Sequence, residues 1–400
     1  MNAISILIAP DKFKGTLTAA EVAEHLRAGL EDAGRSGVRC TTMPLADGGD
    51  GTVAAVSAAG YKPVMLRLTG SDGARRTTAA IAFNGHTAVI EVANICGLSA
   101  VPPDERNPLG ATSRGVGEAI RYATEVLAAR RVVVGLGGSA TTDGGAGMLH
   151  ALGVRFVDRD GRDVEPRAGA LSDLARVDFS GLIPLSGIEV LGASDVDNPL
   201  YGPHGAATVF APQKGAGLDE TRLLDRGLAH LARLTDGDGG LASLPGAGAA
   251  GGLGYGLLLL GGALTSGADF ILSLLDFSRR AAATDVIVTG EGRLDSQTGR
   301  GKLIAAVARH AGDAATIAVV GSTTLTADES SALGLSAVYA IADRAAADTS
   351  RDAELSAQVL RLIGRELFEA ISSRRIRDGV HVSSAGAAPS AQEQRQRERT

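Results

Sequence analysis

The stretch that most constrains this chain is Arg131-Val-Val-Val-Gly-Leu-Gly-Gly-Ser-Ala-Thr-Thr-Asp-Gly-Gly-Ala-Gly147. Val132, Val133 and Val134 are three β-branched residues in succession, as suits a strand buried on both faces. Gly135, Gly137 and Gly138 then permit a tight turn at little steric cost. Ser139, Thr141, Thr142 and Asp143 supply hydroxyls, a carboxylate and a cap for the apolar segment 146–152. A strand, a glycine turn and a helix N-terminus in that order aim backbone N–H groups at an anion. A phosphate is the first expectation. A turn whose glycines only let a helix pack closely on its sheet is the alternative.

Around this stretch the chain alternates apolar runs with polar, glycine-bearing loops. Residues 4–9 read as a buried strand followed by a helix, where Thr18 and Glu21 are spaced as a capping box and Val22, Leu26 and Leu30 recur at helical spacing. A second strand near 40–45 runs into Ala46-Asp-Gly-Gly-Asp-Gly-Thr52. The texture then changes: residues 64–68, 76–83 and 86–92 are strand-like, and Asn84-Gly85 between the last two is a hairpin signal. Helical periodicity returns over 112–129, 218–234 and 352–371, and further strands are expected at 187–192, 285–289, 315–320 and 338–341. From Ser373 the chain is polar and of low complexity, a composition that cannot bury enough surface to order itself.

Four hundred residues exceed what one core usually organises, so two domains are expected. The fold class is α/β: a parallel Rossmann-like or flavodoxin-like sheet domain with helices on both faces, plus an inserted mixed α+β domain. The expected division gives 1–64, 110–152 and 262–372 to the parallel domain, 65–109 and 153–261 to the insert, and 373–400 to a disordered tail.

Composition excludes some functions. Aromatic residues make up 3% and Trp is absent, which removes a base-stacking platform; a net charge of -6 also opposes nucleic-acid binding. The two cysteines are too few for a disulfide framework or a thiolate zinc site. No basic leader precedes the first strand, and the apolar run 253–264 is too short to span a bilayer. A cytoplasmic protein with no membrane partner is expected.

Six strand-end loops gather the chemistry: Asp11-Lys-Phe-Lys14, Asp47-Gly-Gly-Asp50, residues 137–143, Ser194-Asp-Val-Asp-Asn198, residues 291–302 and Ser322-Thr323. In a parallel sheet, successive strand ends share one edge, where ligands bind. The mixture fits phosphoryl transfer. Mg²⁺ takes one or two carboxylates plus phosphate oxygens, so Asp47, Asp50, Asp195, Asp197, Glu291 and Asp295 are candidates. Lys12, Lys14, Arg293, Arg300 and Lys302 can offset the charge of a migrating phosphoryl group. Asp195 or Asp197 can take a proton from a substrate hydroxyl. In an extended segment these two carboxylates point to the same side.

Five segments together resemble the bacterial glycerate kinases. They are Ala9-Pro-Asp-Lys-Phe-Lys-Gly15, Pro44-Leu-Ala-Asp-Gly-Gly-Asp-Gly-Thr52, Gly135-Leu-Gly-Gly-Ser-Ala-Thr-Thr-Asp-Gly-Gly145, Ser194-Asp-Val-Asp-Asn-Pro-Leu200 and Thr289-Gly-Glu-Gly-Arg-Leu-Asp-Ser-Gln-Thr298. The resemblance covers residues 4–371 and implies a two-domain kinase with its active site in the cleft, using ATP and Mg²⁺ to convert D-glycerate into 2-phosphoglycerate. On this reading Asp195, Lys12 and Asp295 are catalytic. Gly135, Gly137, Gly138, Ser139, Thr141, Gly290, Glu291 and Lys302 hold the nucleotide. Lys14, Asp47 and Arg293 meet the substrate, and Asp195 and Asp197 hold the metal. Homodimerisation stays open. Two other readings also stay open: a small-molecule kinase of the galactokinase or homoserine kinase type, which the Gly-Leu-Gly-Gly-Ser-Ala run resembles, and a phosphometabolite-binding regulator without turnover.

Overall fold

The computed structural model describes residues 3–34, 37–238, 240–295, 303–345 and 347–373. They form two compact units, one from the described residues up to Pro44 together with those from Asp276 onward, and one from the described residues of the contiguous segment Leu45–Leu275. The expected tail beyond Ser373 lies outside the described residues, as do Arg300 and Lys302.

In the first unit a parallel five-stranded sheet runs in the spatial order Val38–Thr42, Ile4–Pro10, Val286–Leu294, Ala315–Thr323, Ala337–Ala340. Numbered along the chain this is 2-1-3-4-5, the flavodoxin-like winding. Side chains alternate across a strand, so each strand feeds two cores. Ile6, Ile8, Val288 and Val319 pack with Val22, Leu26 and Leu30 of helix Ala19–Gly34 and with Leu360, Ile363 and Leu367 of helix Ala353–Ser372. The alternate residues Ala318 and Val320 face the other way, against Ile304 of helix Leu303–His310. Helices therefore cover both faces, as a parallel sheet requires.

Local signals set the helix starts. Thr18 Oγ1 accepts from the Glu21 N–H at 3.3 Å while the Glu21 carboxylate accepts from the Thr18 N–H at 2.8 Å, the reciprocal capping box. Asp352 caps the closing helix by accepting from the Leu355 N–H at 2.9 Å. Two strands run further than their apolar cores suggest. The Val286–Leu294 and Ala315–Thr323 strands stay paired through Arg293 with Ser322 and Leu294 with Thr323. Gly290, Glu291 and Arg293 thus lie on a strand rather than in a loop, because a parallel neighbour extends beside them.

In the second unit the sheet is six-stranded, in the order Ala263–Thr265, Glu189–Ala193, Arg131–Gly135, Thr87–Glu91, Arg76–Phe83, Lys62–Thr69. The first four strands are parallel, and the last two join by antiparallel pairing. This corrects the expected division. Residues 110–152 do not belong with the chain ends, because Arg131–Gly135 hydrogen-bonds between Thr87–Glu91 and Glu189–Ala193. Segments 45–64 and 262–275 fall in the same unit. The hairpin after residue 62 is not a separate insert, since it extends the edge of this sheet. Among the described residues, no helix is long and apolar enough to cross a membrane.

The two helices that cover one face of the first sheet approach through glycine. A Cβ on Gly29 would lie 2.2 Å from the Arg361 carbonyl oxygen, and one on Gly364 would lie 2.6 Å from that of Leu26. Backbone cannot yield as a side-chain tip can. Gly29→Val should therefore lower unfolding stability by about 2 kcal/mol or more, the scale of overpacking a core. Denaturant titration checks this, and an unchanged midpoint would contradict the packing.

Candidate active site

At the carboxyl edge of the second sheet, Glu91, Gly135, Ala193 and Thr265 end four parallel strands in register. The segments that leave these ends meet the loop Asp47–Gly51. They meet it through backbone: a Cβ on Gly135 would lie 2.3 Å from the Gly48 carbonyl oxygen, and one on Gly137 would lie 2.4 Å from Gly49 Cα. On the other side, a Cβ on Gly267 would lie 2.0 Å from the Asp47 carbonyl oxygen. Gly48 itself sits at φ +85°, which a side chain disfavours. Glu91, buried at the end of its strand, accepts from the Gly51 N–H at 3.1 Å and the Val53 N–H at 2.9 Å. It thereby caps the helix Thr52–Ala58 that follows the loop.

This scaffold sets Asp47 beside Asp195. Asp195 Oδ1 accepts from the Gly267 N–H at 2.8 Å, the Ser266 hydroxyl at 3.1 Å and the Ala268 N–H at 3.4 Å. Those donors form the N-terminus of helix Gly267–Leu274. Asp195 Oδ2 is shielded from solvent and has no hydrogen-bond partner among the described residues. Loss of hydration, and then the negative charge of Asp47, push the Asp195 carboxyl up to about 6 against the opposing pull of its donors. The acid that acts on Asp195 is therefore Asp47, from a different strand end, whereas Asp197 and Asp50 are exposed. Asp47 Oδ1 accepts from the Gly49 N–H at 3.0 Å.

The glycine turn continues away from this pair. The Gly138 carbonyl accepts from the Leu98 N–H, and the Ala140 N–H donates to the Cys96 carbonyl, both at 2.8 Å. Ser139 and Thr141 are buried and meet a residue that the sequence did not single out, Lys214. Its Nζ donates to Ser139 Oγ at 3.0 Å and to the Thr141 carbonyl at 2.6 Å. Lys214 is only 3% exposed, and burial brings its ammonium down to about 8. Asp143, wholly buried, accepts from the Ser113 N–H and hydroxyl and from the N–H groups of Gly145 and Gly147. It ties the starts of helices Arg114–Glu125 and Ala146–Ala151 together, so its role is structural.

The first unit carries its own cluster, between the Ile4–Pro10 and Val286–Leu294 strands where the winding reverses direction. The Asp11 N–H donates to the Gly290 carbonyl at 2.8 Å, and Lys12 Nζ lies 3.5 Å from Asp11 Oδ1. Arg293, exposed, lies 3.5 Å from Asp295 Oδ2; Lys14 is exposed too, and Glu291 is half-buried. The candidates thus group as Asp47, Asp195 and residues 135–141 in one unit, and Lys12, Lys14, Gly290, Glu291, Arg293 and Asp295 in the other. Lys302 falls outside the described residues.

Residues 6–372 match the model of the glycerate kinase family. The chain belongs to the glycerate kinase family. A glycerate kinase of Bacillus subtilis is 42% identical over 346 residues, which cover 84% of this chain and 90% of that protein. A glycerate 2-kinase of Escherichia coli is 39% identical over 76% of this chain and 81% of its own length. A crystal structure assigned as glycerate kinase 2 of Salmonella typhimurium superposes with a TM-score of 0.79 at 37% identity, covering 94% of this chain and all of that one. The glycerate kinase family thus accounts for both units and for all five signature segments.

Within this member of the family, Gly135 and Gly137 are explained by the Gly48–Gly49 backbone that rests on them. Gly137→Ala should accordingly lower stability by about 1 to 3 kcal/mol, since one backbone must move off another. Thermal melting without ligand checks it. An unperturbed fold with only nucleotide affinity reduced would return the glycine to a ligand-facing role.

Proposed function

We propose that this protein transfers the γ-phosphoryl group of ATP to D-glycerate, giving 2-phosphoglycerate and ADP in the cytoplasm. The observation that carries the reading is the Asp195 carboxylate, pinned through one oxygen while the other has neither solvent nor a partner among the described residues. A buried carboxylate oxygen left unsatisfied is costly. A substrate hydroxyl donating to it would remove that cost. The raised proton affinity also suits a base that must accept the hydroxyl proton as the oxygen attacks phosphorus. The 2-position follows the activity in the name of the Escherichia coli relative.

Among the described residues no group of three or more His, Cys, Asp or Glu assembles as a metal cluster. Mg²⁺ does not need one, because it binds through one or two carboxylates and phosphate oxygens. Two acidic side chains close enough for one to raise the other's proton affinity fit a cation. Asp47 would hold it, and Mg²⁺ would neutralise charge on the phosphate oxygens. Lys12, Lys14 and Arg293 are proposed to bind the anionic groups of nucleotide and substrate. Lys12 and Asp295 keep their proposed catalytic roles, and the backbone of residues 135–141 with Gly290 and Glu291 its proposed role toward nucleotide.

A coupled assay of ADP release across a panel of hydroxy acids, with ³¹P NMR of the product, tests the reading. D-Glycerate should be preferred and the phosphate should sit on the 2-oxygen. No ADP release with any hydroxy acid would leave a binding protein instead. Asp195→Asn keeps the shape and removes the base, so kcat should fall about a hundredfold or more while the fold persists. Near-normal kcat in that variant would exclude the role.

The acid side of the pH profile follows from the same pair. A base works only when ionised, so kcat/KM should fall as pH drops through about 6. Asp47→Asn deletes the neighbouring charge that favours the protonated form. In carboxyl-carbon NMR of the metal-free protein, the Asp195 titration should then move to lower pH; no movement would mean that the two charges do not interact.

A further inference from the structure

Behind the Ser139–Thr141 turn, within the second unit, lies a cavity of 560 Å³ that none of the assigned roles uses. Its floor carries Lys214 and Ala140, and Arg75, Arg76 and Arg106 enter from the sides, against the carboxylates Asp72 and Glu105. Arg75 pairs with Asp72 and Glu105, and Arg76 pairs with Glu118, so Lys214 and Arg106 are the lining cations with no carboxylate partner among the described residues. Lys214 is buried, and its bonds to the Ser139 hydroxyl and the Thr141 carbonyl leave the third ammonium hydrogen for a further acceptor. Arg106 Nε is shielded from solvent with no partner, although its guanidinium also donates to the Gln213 carbonyl at 3.0 Å. Buried donors without acceptors ask for a ligand that brings them.

The rest of the lining mixes an apolar shelf, Ile95, Leu98, Val101 and Pro102, with the polar side chains of Ser71, Thr77, Asn94 and Asn107. The volume falls in the range of small-molecule and cofactor pockets and is far more than a three-carbon acid would fill. An anionic end for the cations, a flat apolar body for the shelf and hydrogen-bonding edges for the amides describe a nucleoside polyphosphate.

We propose that this cavity is the nucleotide site, with the polyphosphate at Lys214 and Arg106 and the base on the shelf formed by Leu98 to Pro102. The proposal rests on the kinase reading above for the identity of the nucleotide as ATP. It deepens that reading by giving the nucleotide side-chain partners next to Ala140, and it takes the place of the nucleotide role offered above for Gly290 and Glu291. Lys214 then couples ligand and turn, since the ammonium that meets the ligand also holds Ser139 and the Thr141 carbonyl.

Two variants test it. Lys214→Met keeps the length and removes the charge, and Ala100→Trp fills the cavity from an exposed position on its wall. Affinity for the non-hydrolysable analogue of ATP would be measured by titration calorimetry, beside 2-phosphoglycerate and inorganic triphosphate as controls. Melting curves report folding, and steady-state kinetics give KM for ATP and glycerate separately. Both variants should weaken the analogue and raise KM for ATP by about tenfold or more, the scale of one lost charge-assisted hydrogen bond. KM for glycerate should stay within about twofold, the usual effect of a change remote from a substrate. Should Lys214→Met fail to fold, Ala100→Trp alone decides. A folded Ala100→Trp with unchanged nucleotide affinity and full glycerate turnover overturns the site and leaves the kinase reading standing. Loss of analogue binding on the variant, in a protein whose wild type turns over no hydroxy acid, does the reverse. Binding of 2-phosphoglycerate in the cavity but not of the nucleotide also overturns it.

Discussion

The site depends on a place where polypeptide backbones touch with no side chain between them. Gly48 and Gly49 rest on Gly135 and Gly137, and Gly267 rests on the Asp47 carbonyl. Contact of this kind has little slack, because main chain on a sheet edge cannot change rotamer. Glu91 grips the far end of the same loop through two N–H groups. The Asp47 main chain is thereby fixed, and the Gly49 N–H holds its carboxylate at 3.0 Å. That is how two negative charges that repel come to be held together.

Three acidic side chains show how differently a protein can treat a carboxylate removed from water. Glu91 and Asp143 are almost wholly buried, and each accepts backbone N–H groups at the start of a helix. Backbone dipoles face both, although burial still raises the proton affinity of Asp143, and both tie helix starts to the fold. Asp195 is given donors on one oxygen only. Incomplete satisfaction beside a like charge costs stability, and it is the observation on which the proposed role of Asp195 as a base rests.

Much of the fold was legible in local sequence. The β-branched runs at 132–134 and 286–288 became strands, Thr18 with Glu21 started a helix, and Asp352 started another. What failed was pairing between distant segments. Val132 to Val134 would suit the centre of either sheet, and nothing local says which neighbours they find. The same limit affected the site. Asp195 stood out by its place after an apolar strand, but alternation suggested Asp197 as its companion when the folded neighbour is Asp47. Lys214 gave almost no signal, being a single lysine in Pro212-Gln-Lys-Gly215 whose burial only the tertiary structure reveals. The glycines at 135 and 137 were visible, while the backbone that requires them lies far away in sequence.

The order of the strands also bears on how the molecule is made. The first strand sits at the interior of its sheet, bonded on one side to residues 280 positions later, as Ser5 is to Asp285. A growing chain emerging from the ribosome releases that strand before the whole second unit, and its partner only after that unit has appeared. The contiguous unit, by contrast, holds every strand of its own sheet within Leu45–Leu275. Translation therefore favours completion of that unit first, while an apolar amino-terminal strand waits with one edge unpaired. Such an edge is what chaperones cover during synthesis.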